Sequence, residues 1–360
     1  MIHIGRLLGY ALLGVNAVMA ALLCFSAFSP YLNPKTSPMA SCAGLFFPVF
    51  LIVNVAFLIF WLFVYRRYAL FPLLVLFVCW GSIQTYVPIN WFQASVPEGA
   101  IKVLSYNTRA FGEKKAHTKE IPNEVLEYLR NSDADIICLQ EYIYGGKLKK
   151  KDIDYALRDY PYKHYHSLGK GRNGLGCYSR YPILSTTPIK YKTRVNGSIA
   201  YYIKVKDDTL VVINNHLESN KILGSDAEIF QEMVDTPNSE NVPSGMKRLL
   251  RKLSEAAVIR SKQADILLET IRGLKGKKLV FCGDFYDSPI SYTHHTFCDD
   301  LQDAFVESGN GLGISYNRNR MHFRIDHILT SKDLRVYGCR VDDSIEASDH
   351  YPIWCYLSLN

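Results

Sequence analysis

The sequence predicts an α+β domain, two packed β-sheets with helices on their outer faces, set behind three membrane-spanning helices. Three observations predict it. The first 97 residues hold no Asp or Glu and only four basic residues, Arg6, Lys35, Arg66 and Arg67. Beyond Glu98, short apolar runs rich in β-branched residues recur along the chain, interrupted by segments with helical spacing. Strands that dominate but are broken by helices fit two stacked sheets covered outside by helices.

The N-terminal elements follow from charge and length. Three uncharged stretches run from Leu7 to Pro34, Thr36 to Tyr65 and Tyr68 to Pro97. Each is longer than the roughly 20 apolar residues a spanning helix needs, which places helices near 7–28, 43–65 and 69–88 in a membrane region of residues 1–97. Tyr31, Trp61, Tyr65, Trp80, Tyr86 and Trp91 lie towards several of the ends, as interfacial aromatics do. A cleaved signal peptide is the competing reading of the first stretch, with Arg6 as its basic start. Its apolar run exceeds the usual ~7–15 residues of such a segment, and two more stretches follow. A soluble helical bundle would show a polar outer face, and none is visible. Arg6, Arg66 and Arg67 mark the cytoplasmic side and only Lys35 the other. Three crossings would then leave the rest of the chain outside the cytoplasm, on an inner or cell membrane.

Residues 98–360 carry 37 Lys and Arg against 34 Asp and Glu, a balance of +3. That is too mild for a dense basic stripe of the kind nonspecific nucleic-acid binders use. Strands are expected at Ile101–Tyr106, Asp135–Gln140, Leu175–Ser179, Ala200–Val205, Thr209–Asn214, Leu279–Cys282, Phe323–Leu329, Leu334–Arg340 and Ile353–Leu359. Glu120–Arg130 and Lys247–Ile271 have helical periodicity; Leu250, Leu253, Ala257, Ala264, Leu267, Leu268 and Ile271 stripe the second. Lys147–Lys151 is a small basic cluster at a loop or helix start, and the polar residues 219–246 read as a long excursion or lid. Cys138, Cys177, Cys282 and Cys355 sit in apolar runs as small buried hydrophobes, and no CxxC occurs.

Chemistry-bearing residues close many of these runs: Leu104-Ser-Tyr-Asn107, Leu139-Gln-Glu141, Asn214-Asn-His216, Gly283-Asp284, Arg324-Ile-Asp-His327 and Ser348-Asp-His350. Glu141 offers the oxygen donor that a hard divalent cation wants. Asn107 can orient a carboxylate or a phosphate, and His216 can donate to a phosphate oxygen. Asp284 follows Gly283, which allows close backbone approach. Asp326-His327 and Asp349-His350 are Asp-His steps, where a carboxylate fixes an imidazole tautomer.

This ordered set resembles the endonuclease/exonuclease/phosphatase superfamily with the DNase I-like fold, over roughly residues 100–360. Gly174-Leu-Gly-Cys-Tyr-Ser-Arg-Tyr-Pro182 and Arg260-Ser-Lys-Gln263 also look like that family. The resemblance implies a four-layer α/β/β/α sandwich with the active site at one rim. It implies Glu141 as the main ligand of Mg²⁺ or Mn²⁺ with Asn107 beside it, and Asp284 orienting or deprotonating the attacking water. His350 would stabilise the transition state, held by Asp326, while Asp349 would be a neighbour or second metal ligand. His216 matches a phosphate-contacting His. The family usually reads Gly-Asp-Phe-Asn; here position 286 is Tyr. The missing amide normally contacts the phosphate or the water, and losing one such donor costs about 10²–10³ in rate. Asp287, Asn173 or the Tyr286 hydroxyl would have to replace it.

The expected activity is hydrolysis of a phosphoester, a lipid headgroup or a nucleic acid or nucleotide, by in-line attack of an activated water beside a divalent cation. The membrane is an expected partner; no feature of the sequence identifies a protein partner. Tyr286 motivates a rival from another class, a catalytically degenerate module that binds a phosphorylated ligand at the cell envelope.

Overall fold

A computed structural model of the chain describes residues 2–118, 120–169, 173–193, 195–221, 232, 235, 241–318 and 321–359. Most of the excursion expected at 219–246 lies outside these residues.

At the N-terminus, Ile2–Phe28 and Phe47–Val64 are helices. Two segments, Leu7–Tyr31 and Pro38–Val64, are long and apolar enough to cross a membrane. The third expected span is corrected. The stretch 69–88 is not one helix: Arg66–Val78 and Trp80–Tyr86 are bent by 64° at Cys79, so they make at most one broken span. Gly81-Ser82 follows the bend at once, and Gly/Ser pairs are a usual seat of sharp kinks. The Ser82 hydroxyl donates to the Ala27 carbonyl at 3.1 Å, fixing the second half against the first helix. Phe63, Phe77, Leu7 and Ile52 are all exposed, a surface that suits lipid better than water. Between the helices, buried Asn16 accepts from the Trp61 indole at 3.0 Å, and Asn54 donates to the Met19 carbonyl at 3.0 Å. Such contacts join helices where apolar surface alone does not.

The remainder holds fourteen strands among the described residues. In chain order they are β1 (Ile101–Asn107), β2 (Ile136–Gln140), β3 (Tyr162–Leu168), β4 (Asn173–Ser179), β5 (Ile183–Ile189), β6 (Gly197–Val205) and β7 (Asp208–His216). They continue as β8 (Lys278–Asp284), β9 (Leu301–Asp303), β10 (Tyr316–Arg318), β11 (Met321–Phe323), β12 (Asp326–Ser331), β13 (Arg335–Val341) and β14 (Ile353–Ser358). Two six-stranded sheets result, ordered β13-β14-β1-β2-β4-β3 and β5-β6-β7-β8-β12-β9, with β10-β11 apart. Alternation places each layer. On β1 and β2, Val103, Ile136 and Cys138 face the core between the sheets, while Leu104, Tyr106, Ile137 and Leu139 face the outer helices. On β8, Val280 and Cys282 point inward, and Leu279 and Phe281 outward to the long helix Asn241–Gly273. Both sheet faces are buried, so these strands read as continuous apolar runs. Each such side chain contributes about 1.5–3 kcal/mol by leaving water. Helices Glu124–Asn131 and Lys150–Ala156 cover the first sheet. The fold is therefore the four-layer sandwich expected. Asn123 caps the first of these helices by accepting from the Leu126 amide, which moves its start from the expected 120 to 124.

The two regions are joined. Ile290 is buried in one cluster with Leu23, Ala27, Phe47 and Cys79. Arg324, 3% exposed, donates to the Thr85 and Leu312 carbonyls and lies over the Phe305 ring at 4.5 Å. Removing its donors takes a buried charged group's hydrogen bonds from these part-buried carbonyls, at about 1.5–3 kcal/mol. Arg324→Leu is therefore expected to lower the unfolding free energy by about that amount in a thermal or denaturant melt; an unmoved transition would mean the contact contributes nothing.

Candidate active site

Topology explains why residues distant in sequence meet. β1 and β2 are parallel, as are β7 and β8, while β14 runs against β1 and β12 against β8. The ends of β1, β2, β7 and β8 and the starts of β12 and β14 thus share one rim. There Asn107 stands across from Gln140, and Asp284 lies level with both His216 and Asp326. Gly283 (φ 135°) is required by its neighbours. A Cβ there would sit 2.0 Å from the Asn215 carbonyl oxygen, so the close approach is made by strand β7 and not by a ligand.

Asn107 bridges the two sheets. Its amide donates to Asp284 Oδ2 at 3.0 Å and to Glu141 Oε1 at 3.3 Å. Glu141 leaves β2 at φ 48°, and Tyr286 leaves β8 at φ 51°. Left-handed backbone at a non-Gly residue costs about 1–3 kcal/mol and persists where the surroundings impose it, often at functional sites. Here it turns both side chains towards each other: the Tyr286 hydroxyl lies 3.4 Å from Glu141 Oε1 and 3.2 Å from His216 Nε2. Glu141 only accepts, so the Tyr286 hydroxyl donates to it and His216 Nε2–H donates to the Tyr286 oxygen. Burial lowers the His216 pKa against the opposing pull of Glu141, which favours the neutral imidazole, and the order needs only that Nε2 carry a proton.

The second half of the site is a row of Asp326, His350 and Asp284. His350 Nδ1 donates to Asp326 Oδ2 at 2.7 Å, and its Nε2 lies 3.6 Å from Asp284 Oδ2. Burial works against its charge, but Asp326 and Asp284 outweigh it and hold the imidazolium up to about 10. Burial raises the Asp284 carboxyl far above the usual range, while His350 pulls the other way. Asp284 Oδ1 accepts from the Tyr286 amide at 2.9 Å, leaving Oδ2 to face Asn107 and His350. His350 thus meets Asp326, as the family resemblance implied, and not its chain neighbour Asp349. Adjacent strand residues face opposite sides, so Asp326 meets His350 from another strand while His327 points away from the rim.

Asp349 stands apart, 3.2 Å from Arg318 and 3.7 Å from Arg109. Those arginines were not legible as site residues. Arg109 starts a turn, Arg109–Lys114, whose residues all have φ of +45 to +69°. Asp287 is bound to Arg260 at 3.2 Å and the Asn173 amide to the Val195 carbonyl at 3.1 Å. Of the three candidates to stand in for the missing Asn amide, only the Tyr286 hydroxyl faces Glu141 and His216.

A cleft of about 750 Å³ opens at this rim, lined by Glu141, Leu168, Asn173, Val195, His216 and Tyr286. The donor set fits a hard divalent cation. The Glu141 carboxylate borders open space, its described ionic neighbour is the neutral His216 at 3.7 Å, and the Asn107 amide lies beside it.

Comparisons with known proteins agree with this fold. A family model of unknown function matches residues 9–86, and the model described as the Endonuclease/Exonuclease/phosphatase family matches residues 104–350. An exodeoxyribonuclease of Bacillus subtilis (strain 168) is 23% identical over 293 residues, 72% of this chain and 100% of that protein. The catalytic domain of human Nocturnin with bound sulfate superposes with a TM-score of 0.53 at 17% identity, over 74% of this chain and 96% of that one. An endonuclease/exonuclease/phosphatase from Beutenbergia cavernae DSM 12333 gives 0.50 at 16% identity, over 72% and 71%. The rim of strand-end Asn, Glu, His and Asp residues lies within the matched segment, and the chain belongs to the endonuclease/exonuclease/phosphatase family.

Proposed function

We propose that this chain is a membrane-anchored phosphoester hydrolase that works with Mg²⁺ or Mn²⁺. In this reading residues 1–97 are the anchor and 98–360 the catalytic domain. The observation that carries the reading is the convergence of Asn107, Glu141, Asp284, Asp326 and His350 on one buried rim beside an open cleft. Glu141, with Asn107 alongside, would hold the cation, which when bound would supply a Lewis acid for a phosphoryl oxygen. Asp284 Oδ2 orients the attacking water and takes its proton. Its raised pKa suits a base working near neutral pH. Water oxygen bonds to phosphorus as the ester P–O bond opposite breaks. The His350 imidazolium, locked by Asp326, donates to the oxygens that gain charge. His216 and Tyr286 supply neutral donors at the cleft wall. Asp349, tied to Arg109 and Arg318, positions these cations at the rim.

The substrate class we favour is a lipid phosphoester, with a nucleic acid or nucleotide as alternative. Asp287 and Ile290, one and four residues past Tyr286, line a small cavity with Cys42 and Leu45 at the end of the membrane helices. This supports a catalytic rim lying near the bilayer surface. Orientation has support too. The Gly9–Tyr65 end of the helices carries Arg66 and Arg67, while the Ala27–Ser82 end adjoins the catalytic domain. Basic residues on the far side favour a catalytic domain outside the cytoplasm.

The test is turnover of a phosphodiester by the full-length chain in detergent. Activity is expected with Mg²⁺ or Mn²⁺ and none with EDTA. Turnover unaffected by EDTA would sink the metal reading. A folded chain inactive with every metal would favour the degenerate binding module, for which Tyr286 against Glu141 is the specific observation.

A further inference from the structure

On the far face of β12 lies a second cluster that the hydrolytic site does not use. His327 is 1% exposed. Its Nε2 donates to the Asp287 carbonyl at 3.0 Å, which fixes the tautomer and leaves Nδ1 as a bare lone pair. That Nδ1 is buried with no hydrogen-bond partner and lies 4.0 Å from Asp303 Oδ2. His294 Nε2 lies 2.7 Å from the same oxygen. Asp303 spends its other oxygen on the amides of Phe305 and Val306 at 2.7 and 3.4 Å, so Oδ2 is free for this cluster. Cys298, one turn after His294 on helix Tyr292–Cys298, brings Sγ to 3.7 Å from His294 Nε2 and 3.5 Å from its Nδ1. His294, Asp303 and His327 each bring one ligand atom to within 4.8 Å of the others.

We propose that His294 Nε2, Asp303 Oδ2, His327 Nδ1 and Cys298 Sγ form a structural zinc site. Tetrahedral zinc with bonds of ~2.0–2.3 Å holds its ligand atoms roughly 3.3–3.6 Å apart. The His294–Asp303 and His327–Asp303 separations of 2.7 and 4.0 Å bracket that spacing, whereas Cys298 Sγ, 3.5 Å from His294 Nδ1 and 3.7 Å from its Nε2, lies beside the ring outside this three-atom group and would complete the site by turning about its χ1. Two imidazoles, a carboxylate and a thiolate are a borderline-soft set that suits Zn²⁺ and not the oxygen-loving Mg²⁺ of the rim. The orphaned Nδ1 separates a metal site from a plain His–Asp pair, because a buried acceptor without a partner is costly. An entry path exists: a cavity of about 490 Å³ touches His294, Cys298 and Asp303 and reaches Tyr31 and Thr85 at the end of the membrane helices. The ion would pin helix Tyr292–Cys298 to β9 and β12, behind Asp326 and next to the junction with the membrane region.

The test uses the full-length chain, purified in detergent without chelator, in a Glu141→Gln background so that the rim contributes no metal. Elemental analysis is expected to find one zinc per chain, lost in His327→Leu. Cobalt exchanged into the metal-free chain is expected to show tetrahedral ligand-field bands with a thiolate charge-transfer band, and Cys298→Ser should remove only the latter. No retained zinc together with no tetrahedral cobalt spectrum overturns the proposal, as does a cobalt spectrum without a thiolate band. Zinc content unchanged in a His327→Leu chain that melts as the parent does overturns it too. If His327→Leu fails to fold, the cobalt spectrum of the parent decides.

Discussion

Glu141→Gln is expected to lower phosphodiester turnover by about 10³ or more at saturating substrate, and Glu141→Ala by at least as much. Little else at the cleft could hold the cation. Among the described residues at the cleft, Glu141 is the carboxylate whose oxygen borders open space, whereas Asp284 and Asp326 are fully buried and engaged with Asn107 and His350. A bound cation supplies several kcal/mol of transition-state stabilisation, and ~4 kcal/mol is about three decades in rate. His350→Gln is the contrasting variant. It keeps a donor of similar reach but cannot carry the charge that Asp326 stabilises, and is expected to cost about 10²–10³. Excess Mn²⁺ should restore part of the Glu141→Gln activity, because that variant weakens a binding equilibrium, and none of the His350→Gln activity. A Glu141→Gln chain that keeps more than a tenth of its turnover, or a His350→Gln chain rescued by Mn²⁺, would contradict these roles.

Much of this site was legible because its residues close strands buried on both faces. Asn107, Glu141, His216 and Asp284 each end a continuous apolar run, and such runs are the clearest strand signal a sequence offers. The strands not anticipated, β3, β5 and β9, all lie at sheet edges. β3 is half exposed along most of its length, and β5 contains Pro188, tolerated at an edge but a mark against a strand in the sequence. Short β10 and β11 form their own two-stranded ladder, and Tyr316 adds an isolated bridge to His350. The broken third span was invisible to composition, since Gly81 and Ser82 are common in spanning helices and only their packing against Ala27 shows the bend. The Asp326–His350 pairing was implied by the family resemblance, but the place of His327 was hidden. The adjacent Asp326-His327 step suggested a contact, yet strand alternation sends His327 to the other side of its sheet, into a cluster with His294 and Asp303 that no local motif announced. Arg109 and Arg318 escaped notice because lone arginines in loops carry no signal until the chain brings them to Asp349.

Tyr286→Phe tests the departure from the family pattern, and kcat is expected to fall by about 10²–10³ with KM little changed. In the resting site the Tyr286 hydroxyl donates to Glu141 and accepts from His216. A cation held by Glu141 would occupy the same carboxylate lone pairs, freeing the hydroxyl proton for a phosphate oxygen, with His216 Nε2–H still orienting the ring oxygen. The raised Tyr286 pKa, caused first by burial and then by Asp284 and Glu141, keeps that proton in place throughout the useful pH range. Phe preserves the ring packing on His216, whose centroid lies 5.4 Å away, and removes only the donor. Tyr286→Asn restores an amide at the family position and should retain more activity than Phe. The ordering wild type, then Asn, then Phe follows from Tyr286 being a working donor. An inactive wild type that gains hydrolysis as Tyr286→Asn would instead identify the phenol as a plug over Glu141, and the chain as a phospho-ligand-binding module. Equal rates for Phe and wild type would leave the hydroxyl no part in the chemistry.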